Sequence, residues 1–215
     1  MSQFPRLTTT SYAILGLVAA EPASAYALVR RMRINYRYFW PRARSLVYTE
    51  VKKLEGLGWV VGVPETTGRR KRLEYAITAT GRAELARWLG TPSTAFALEL
   101  EALVRVYLAR FGSERDLLAA ITSMAAEAEV MLDIAGEIIP AYLAGTPPPP
   151  ADLVHHRAVL FDFLTGFAAF VQDWADRSSA EVESWAGCDP AALEARALKR
   201  MRGMPMNPSS AARRR

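Results

Sequence analysis

The sequence predicts a mainly α-helical protein of 215 residues in which one short β-hairpin interrupts the helices. An amphipathic segment ends at Gly58, and two short apolar runs follow it at residues 59–63 and 73–77. Four consecutive cations lie between these runs, where they cannot be part of a core. Beyond Ser93 no strand pattern persists, and apolar residues recur at helical spacing. The order is therefore helices, a basic hairpin, and then an all-helical region.

Two helices precede the amphipathic segment. Thr10 and Ser11 are candidates for the N-cap of the first helix, which ends at Pro22, and Ser24 can cap the second. The amphipathic segment is then the third helix, beginning near Pro41 and ending near Leu57. Its apolar face packs on the first two helices. Its opposite face meets solvent or a groove, and carries Arg42, Ser45, Thr49 and Lys52.

The hairpin ends at Thr78, which opens a fourth helix to about Leu89. Gly90–Ser93 then predicts a boundary, so we expect domains at residues 1–90 and 91–202 and a disordered basic tail at 203–215. A helix is predicted at residues 93–111. Ser113 caps the next one, which Pro140 should kink or end.

The clearest periodicity of the chain lies in a long helix at about residues 153–185. Its broad apolar face exceeds what so few helices can cover, which predicts a homodimer; ordinary packing within a monomer is the alternative. The expected interface consists of Leu160, Phe163, Leu164, Phe167, Phe170, Val171 and Trp174.

Charge divides the chain sharply. Residues 1–90 hold 15 Lys/Arg and 6 Asp/Glu, whereas residues 91–185 hold 5 and 14. The first region suits a polyanion and the second would be repelled by one. A basic hairpin after an amphipathic helix is the usual arrangement of a winged helix-turn-helix that binds DNA. A winged helix used only for protein interaction would not need this charge, while RNA binding is less favoured because exposed-aromatic RNA motifs are missing.

The sequence offers little for catalysis. His155 and His156 are adjacent and point about 100° apart on a helix, so they cannot share a metal. Cys188 is the single cysteine, which fits a reducing cytosol. We find no pattern for a cofactor, a metal site or a signal peptide. We therefore expect a cytoplasmic protein that is not an enzyme.

Residues of about 8–89 resemble the PadR family of transcriptional regulators. The family's motifs are matched by Ile14–Leu17 in the first helix, Ala25–Leu28 in the second, Phe39–Trp40, Val47–Gly58 in the third and Tyr75–Gly81 after the wing. Ala25, Thr49 and the wing tip depart from the usual Gly, Pro and Gly-Arg-Pro. The layout of the C-terminal region resembles the larger subclass, whose second domain forms the dimer.

The resemblance implies a dimeric repressor that binds an inverted-repeat operator in double-stranded DNA. We expect the third helix to enter the major groove and the wing to contact phosphates. For Tyr26, a phosphate contact and a half-buried core position both remain open. The predicted DNA-binding residues are Tyr26, Arg42, Arg44, Ser45, Tyr48, Thr49, Lys52, Lys53, Arg69, Arg70, Lys71 and Arg72.

Members of the family often respond to small phenolic compounds, so a small aromatic ligand is a further expectation. Trp88 and Phe96, with Phe163, Phe167 and Trp174, are candidates to line an aromatic cavity. Core and interface packing is the favoured alternative for these side chains, since any helical core needs aromatic residues at helical spacing.

Overall fold

The computed structural model describes residues 7–67, 70–145 and 153–205, with residues 65–67 and 70–72 described by their backbone alone. The chain divides into two compact units, residues 1–96 and residues 97–215. The first combines helices with a small sheet, and the described residues of the second form helices and no strand. This confirms the mainly α-helical class with one winged helix-turn-helix.

Helix α1, Thr9–Ala20, begins with a capping box, and its N-cap lies two residues before the first predicted candidate. Thr8 is the N-cap, and its hydroxyl accepts from the Ser11 N–H while the Ser11 hydroxyl accepts from the Thr8 N–H. Thr10 and Ser11 are instead buried. The prediction missed this because Thr8, Thr9 and Thr10 have equal capping propensity, and packing decides among them.

Helix α2, Ala25–Tyr36, is capped by Ser24 as predicted, through the Ala27 N–H at 3.3 Å. Helix α3, Arg44–Gly56, begins three residues after Pro41, so the expected start was wrong. Ala43 is its N-cap and makes no side-chain cap bond. The predicted stop is confirmed, since Gly58 adopts φ +70°, a conformation that glycine accepts readily.

The wing is larger than expected. Strands β2, Val60–Thr67, and β3, Arg70–Ile77, pair antiparallel from Val60 opposite Ile77 to Thr67 opposite Arg70. The expected strands stopped several residues short, because the polar and charged residues near the tip were assigned to a loop. A two-residue strand β1, Ala23–Ser24, adds to β3 and makes a three-stranded sheet in the order β1-β3-β2.

Helix α4, Ala79–Leu89, confirms the predicted start at Thr78. The Thr78 hydroxyl accepts from the Gly81 N–H at 3.0 Å and donates to the Gly58 carbonyl at 2.8 Å. Gly81 lies so close to the strand that an added Cβ would be 2.1 Å from the Trp59 carbonyl oxygen. One cap thus joins the end of α3, the start of β2 and the start of α4.

The core of the first unit contains Ile14, Leu15, Leu28, Val47 and Leu54, each at most 1% exposed. Tyr12 stacks on Trp88 at 4.7 Å between ring centroids, which attaches α4 to α1. Glu50 on α3 is also buried and accepts a hydrogen bond from the Ser11 hydroxyl on α1. These contacts set the position of α3 in the unit.

The second unit begins differently from the prediction. Residues 92–100 form no helix, and α5 covers only Glu101–Leu108, followed by a 3-10 turn at Ala109–Phe111. The predicted helix over residues 93–111 was therefore wrong over its first half. Helical periodicity was present there, but no side chain of α5 is buried to hold a longer helix in place.

Two 30-residue helices form the body of the second unit. Helix α6, Glu114–Leu143, is capped by Ser113 as predicted but continues three residues beyond Pro140, so the expected end was early. Helix α7, Val154–Glu183, packs along it. Helix α8, Pro190–Arg202, is capped by Asp189 through the Ala192 N–H at 2.9 Å. The core between α6 and α7 is built from small residues such as Ala128, Ala168 and Ala175.

Helix α7 is also long and apolar enough to cross a membrane, with a mean hydropathy of 1.2 in its most apolar window. The sequence analysis did not single it out for this property. One face of α7 is buried in the second unit, through Ala168, Val171 and Val182 among others. One such helix is weak evidence for a membrane protein, because the core helix of a helical unit meets the same criterion.

Candidate nucleic-acid interface

The central element of the candidate interface is α3. Val47, Val51 and Leu54 are at most 1% exposed and fix this helix on the core. The opposite face is exposed, as the helical pattern predicts. It carries Arg44, Ser45, Tyr48, Thr49 and Lys52. The structure therefore brings five of the predicted DNA-binding residues onto one helix with solvent in front of them.

The polar groups on this face have partners within the helix. The Thr49 hydroxyl donates to the Ser45 carbonyl at 3.1 Å, which leaves its oxygen free to accept. Lys52 forms an ion pair with Glu55 at 2.9 Å and lies 5.6 Å from the centre of the Tyr75 ring. The hydrogen bond to Glu55 raises the pKa of Lys52 to about 12, so the ammonium stays charged at neutral pH.

Lys53 does not belong to the exposed face. Its side chain is 16% exposed, and its ammonium lies 3.6 Å from the buried Glu50 carboxylate. Glu50 in turn accepts from Ser11. Lys53 thus balances a buried charge at the junction of α1 and α3. Lys53 was predicted to bind DNA as a residue flanking the exposed face, but in the helix it points about 100° away from Lys52.

Arg42 and Arg44 lie at the start of α3. The Arg42 guanidinium stacks 4.1 Å from the centre of the Trp40 ring and donates to the Pro41 carbonyl at 2.7 Å. The Trp40 indole N–H donates to the Thr10 hydroxyl at 3.0 Å. Arg42 therefore rests on a ring that is itself attached to α1, and this limits the orientations of its charged group.

Tyr26 lies at the second position of α2 and is 67% exposed. The half-buried core position left open by the sequence is not the one it occupies. Tyr26 lines the cleft between α2 and α3 together with Arg42 and Arg44. The structure thus brings Tyr26 together with the start of α3.

That cleft contains residues that sequence reasoning missed. Its volume is about 450 Å³, and its wall includes Arg30 and Arg33 of α2 and Arg37 directly after this helix. The signal was present in the sequence, because positions 26, 30, 33 and 37 follow the 4-3-4 spacing of one helix face. The prediction of the second helix rested on its apolar residues, so this basic stripe was missed.

The wing carries the four predicted phosphate-binding cations. Arg70, Lys71 and Arg72 belong to β3, and their backbones pair with Thr67, Thr66 and Glu65. Their side chains, and the whole of Arg69, lie outside the described residues.

The residues predicted to form a dimer have different environments in the chain. Val171 is buried against α6, so its assignment to an interface was wrong. Phe167 and Trp174 pack against the same cores, while Leu160 and Leu164 are half-buried. Phe163 and Phe170 are 60% and 58% exposed, which leaves these two as the large uncovered side chains of the set.

The candidate ligand residues also differ from one another. Trp88 is partly buried and stacked on Tyr12, so it belongs to the core of the first unit. Phe96 is 80% exposed. Among the described residues, no group of three or more His, Cys, Asp or Glu side chains could hold a metal ion.

Comparison with known proteins agrees with this geometry. The sequence model of the family described as "Transcriptional regulator PadR-like family" matches residues 14–87. The chain is 35% identical over 82 residues to the probable transcriptional regulator Rv1176c of Mycobacterium tuberculosis, which is 38% of this chain and 43% of that protein. It is also 35% identical over 81 residues to the negative transcriptional regulator PadR of Bacillus subtilis, 36% and 43% of the two chains. The sequence similarity thus spans less than half of these relatives.

Similar folds extend further along the chain. The crystal structure of Bacillus subtilis PadR in complex with operator DNA covers 81% of this chain with a TM-score of 0.66 and 20% identity, over 99% of its own length. The same regulator has been crystallised with p-coumaric acid, with a TM-score of 0.62 at 19% identity over 82% and 99% of the chains. The Vibrio cholerae virulence activator AphA covers 83% of this chain and 100% of its own, with a TM-score of 0.63 and 21% identity. At these identities the likeness establishes the fold.

Proposed function

Because this chain belongs to the PadR-like family of transcriptional regulators, we propose that it binds double-stranded DNA as a homodimer and represses transcription from an inverted-repeat operator. The exposed polar face of α3, next to a basic wing, is the observation that carries this proposal. In winged-helix proteins such a helix reads the major groove. We place the protein in the cytoplasm, where it meets DNA and where a single cysteine stays reduced.

In this proposal one group of side chains contacts the bases and another contacts the phosphates. Ser45, Thr49 and Lys52 face the base edges, because they are the short or flexible polar groups at the middle of the exposed face. Lys52 is paired with Glu55, so its contact with a base or a phosphate replaces that ion pair. The wing cations contact phosphates and supply affinity without reading sequence.

The homodimer is supported by the apolar side chains that α7 leaves uncovered. Val159, Phe163 and Phe170 are each at least 58% exposed, and a helix rarely leaves three such side chains in water. A second copy of the chain is the occupant that an inverted-repeat operator requires. Two α3 helices would then lie about 34 Å apart, one turn of DNA.

Release by a small aromatic ligand is the third part of the proposal. Its support is the relative crystallised with p-coumaric acid and the exposed ring of Phe96, 80% of which is open to solvent. Trp88 takes no part in this proposal, because its ring stacks on Tyr12 in the core of the first unit. Repression rather than activation follows the Bacillus subtilis regulator, which is a negative regulator, whereas AphA is an activator.

The deciding experiment is a mobility-shift titration of the full chain on a duplex from upstream of its own gene, with random competitor DNA and several salt concentrations. We expect one competitor-resistant complex with two protein copies on an inverted repeat. A duplex with one half-site inverted in place serves as the matched control. A reporter fused to the same upstream region then reads the sign of regulation.

Other outcomes would replace the proposal. Binding that competitor DNA removes completely would leave a non-specific nucleic-acid-binding protein, whose affinity falls steeply with salt. No binding to any duplex, with the fold intact by circular dichroism, would leave a winged helix used for protein interaction. If a series of phenolic acids left operator binding unchanged, release by a small aromatic ligand would be excluded. The proposed DNA binding and homodimer would still stand.

A further inference from the structure

The cleft between α2 and the start of α3 has an unusual wall. Half of its ten lining residues are arginines, and none of the ten is acidic. The floor is apolar, formed by Met32 and Val47, which are at most 4% exposed. The five arginines are Arg30, Arg33, Arg37, Arg42 and Arg44.

These arginines lack counter-charges within the described part of the chain. Arg31, their neighbour on α2, is paired with Glu21, but no described carboxylate lies within ion-pair distance of any of the five. Arg37 rests 4.7 Å from the centre of the Tyr38 ring, and Arg42 rests on Trp40. Contacts with ring faces hold a guanidinium in place without neutralising it.

Five like charges around about 450 Å³ repel one another. A bound anion would lower the energy of this arrangement by offsetting the positive charges. The planar guanidinium fork matches two oxygens of a phosphate at once, so phosphate is the anion that this wall fits best.

The start of α3 strengthens the same preference. Ala43 leaves the first turn without a side-chain cap, and Arg44 is both the first residue of the helix and part of the cleft wall. The positive end of the helix dipole therefore lies at the cleft. At the lip, the exposed Tyr26 adds a hydroxyl that can donate to a phosphate oxygen.

We infer that the cleft binds phosphates of the DNA backbone that borders the groove entered by α3. The inference rests on the proposed function and adds a second line of phosphate contacts, on α2, to those of the wing. Arg44 belongs both to the wall of the cleft and to α3, the helix that reads the bases. Binding here positions α3 and does not select sequence.

The test combines protein and DNA changes on a duplex that the wild-type chain selects from a random pool. Arg33→Ala with Arg37→Ala should weaken binding roughly tenfold near 0.15 M salt and lower the salt slope by about 2, since each lost phosphate contact removes about 0.9. Arg82→Ala, an exposed arginine of α4 outside the cleft, should leave the slope unchanged. Arg33→Lys with Arg37→Lys should recover most of the slope.

Neutral methylphosphonates, placed one at a time along the duplex, locate the contact. At the cleft's positions the substitution should weaken wild-type binding by about tenfold and have no further effect on the double alanine variant. The inference would be overturned if the double alanine variant still lost affinity at every substituted phosphate, or if its salt slope equalled that of the wild-type chain. The proposed function would then still stand. If the wild-type chain selects no duplex, both fall. Matched melting temperatures of the variants exclude loss of fold as the cause.

Discussion

The two units of this chain use their surfaces in opposite ways. In residues 7–96 aliphatic side chains such as Leu15 and Leu54 are completely buried, and the exposed faces of α2 and α3 are basic. In residues 97–205 the buried core consists mainly of alanine and valine, while Phe163 and Tyr107 are 60% and 85% exposed. The first unit completes its own core and presents charge. The second leaves large apolar side chains exposed.

The largest expected effect concerns the exposed apolar side chains of the second unit. Phe163→Asp with Phe170→Asp should convert the dimer into a monomer, because two charges would be buried against an apolar face. Phe167→Asp is a poorer test, since Phe167 packs on the core of its own chain. Sedimentation velocity measures the change, with Leu198→Asp on α8 as an exposed control. A dimer that survives both aspartates would move the interface away from this face of α7.

A smaller effect is expected when one glycine in each unit is replaced by alanine. Gly81→Ala should destabilise the first unit by about 3 kcal/mol, because the new Cβ would meet the Trp59 backbone carbonyl, 2.1 Å from the ideal position. Gly166→Ala on α7 meets nothing within 4 Å and should stabilise its helix by up to about 1 kcal/mol. Chemical denaturation of the full chain measures both changes. Equal effects at the two sites would contradict the close packing assigned to Gly81.

The third prediction separates phosphate contacts from base contacts in the first unit. Arg70→Ala with Arg72→Ala should weaken binding to operator and random DNA alike and lower the salt slope by up to about 2. Thr49→Ala should instead reduce operator binding by about 1 to 3 kcal/mol and leave random DNA almost unchanged. Parallel titrations on the two duplexes measure the contrast. If both variants lost affinity in the same proportion on both duplexes, the roles assigned to the wing and α3 would be wrong.

The smallest effect compares two capping boxes. At α1 the box joins Thr8 and Ser11, which do not titrate, whereas at α6 it joins Ser113 and Asp116. Hydrogen bonds from Ser113 lower the pKa of Asp116 below its ordinary value of 3.8. Because the folded pKa is the lower one, the cap's contribution is complete above pH 3.8 and is lost as the pH falls through the folded pKa.

Amide chemical shifts at the two boxes measure this difference. We expect the Ser113 N–H, 2.9 Å from an Asp116 carboxylate oxygen, to titrate in acid while the Thr8 N–H does not. Asp116→Asn should remove the titration at Ser113. A pH-independent Ser113 amide in the wild-type chain would mean that the bond is not formed in solution.

Much of the first unit was predictable because its signals are local. Ser24, Gly58 and Thr78 mark element ends through their own backbone preferences, and the structure confirms all three. The exposed face of α3 follows from helical spacing alone. Lys53 was misplaced because its charge was weighed without the buried Glu50 beside it, and a buried carboxylate is not visible in a sequence.

The sequence by itself determined the helical class, the basic hairpin, the caps at Ser24, Thr78 and Ser113, and the charge difference between the two units, since each depends on neighbouring residues or on composition. Only the tertiary structure decided which side chains meet. It turned the stripe from Tyr26 to Arg37 toward Arg42 and Arg44, buried Glu50, and separated Val171 from the exposed Phe163 and Phe170. Periodicity states which residues share a helix face. Whether that face is covered depends on elements far away in the chain, and these come together only when the units fold.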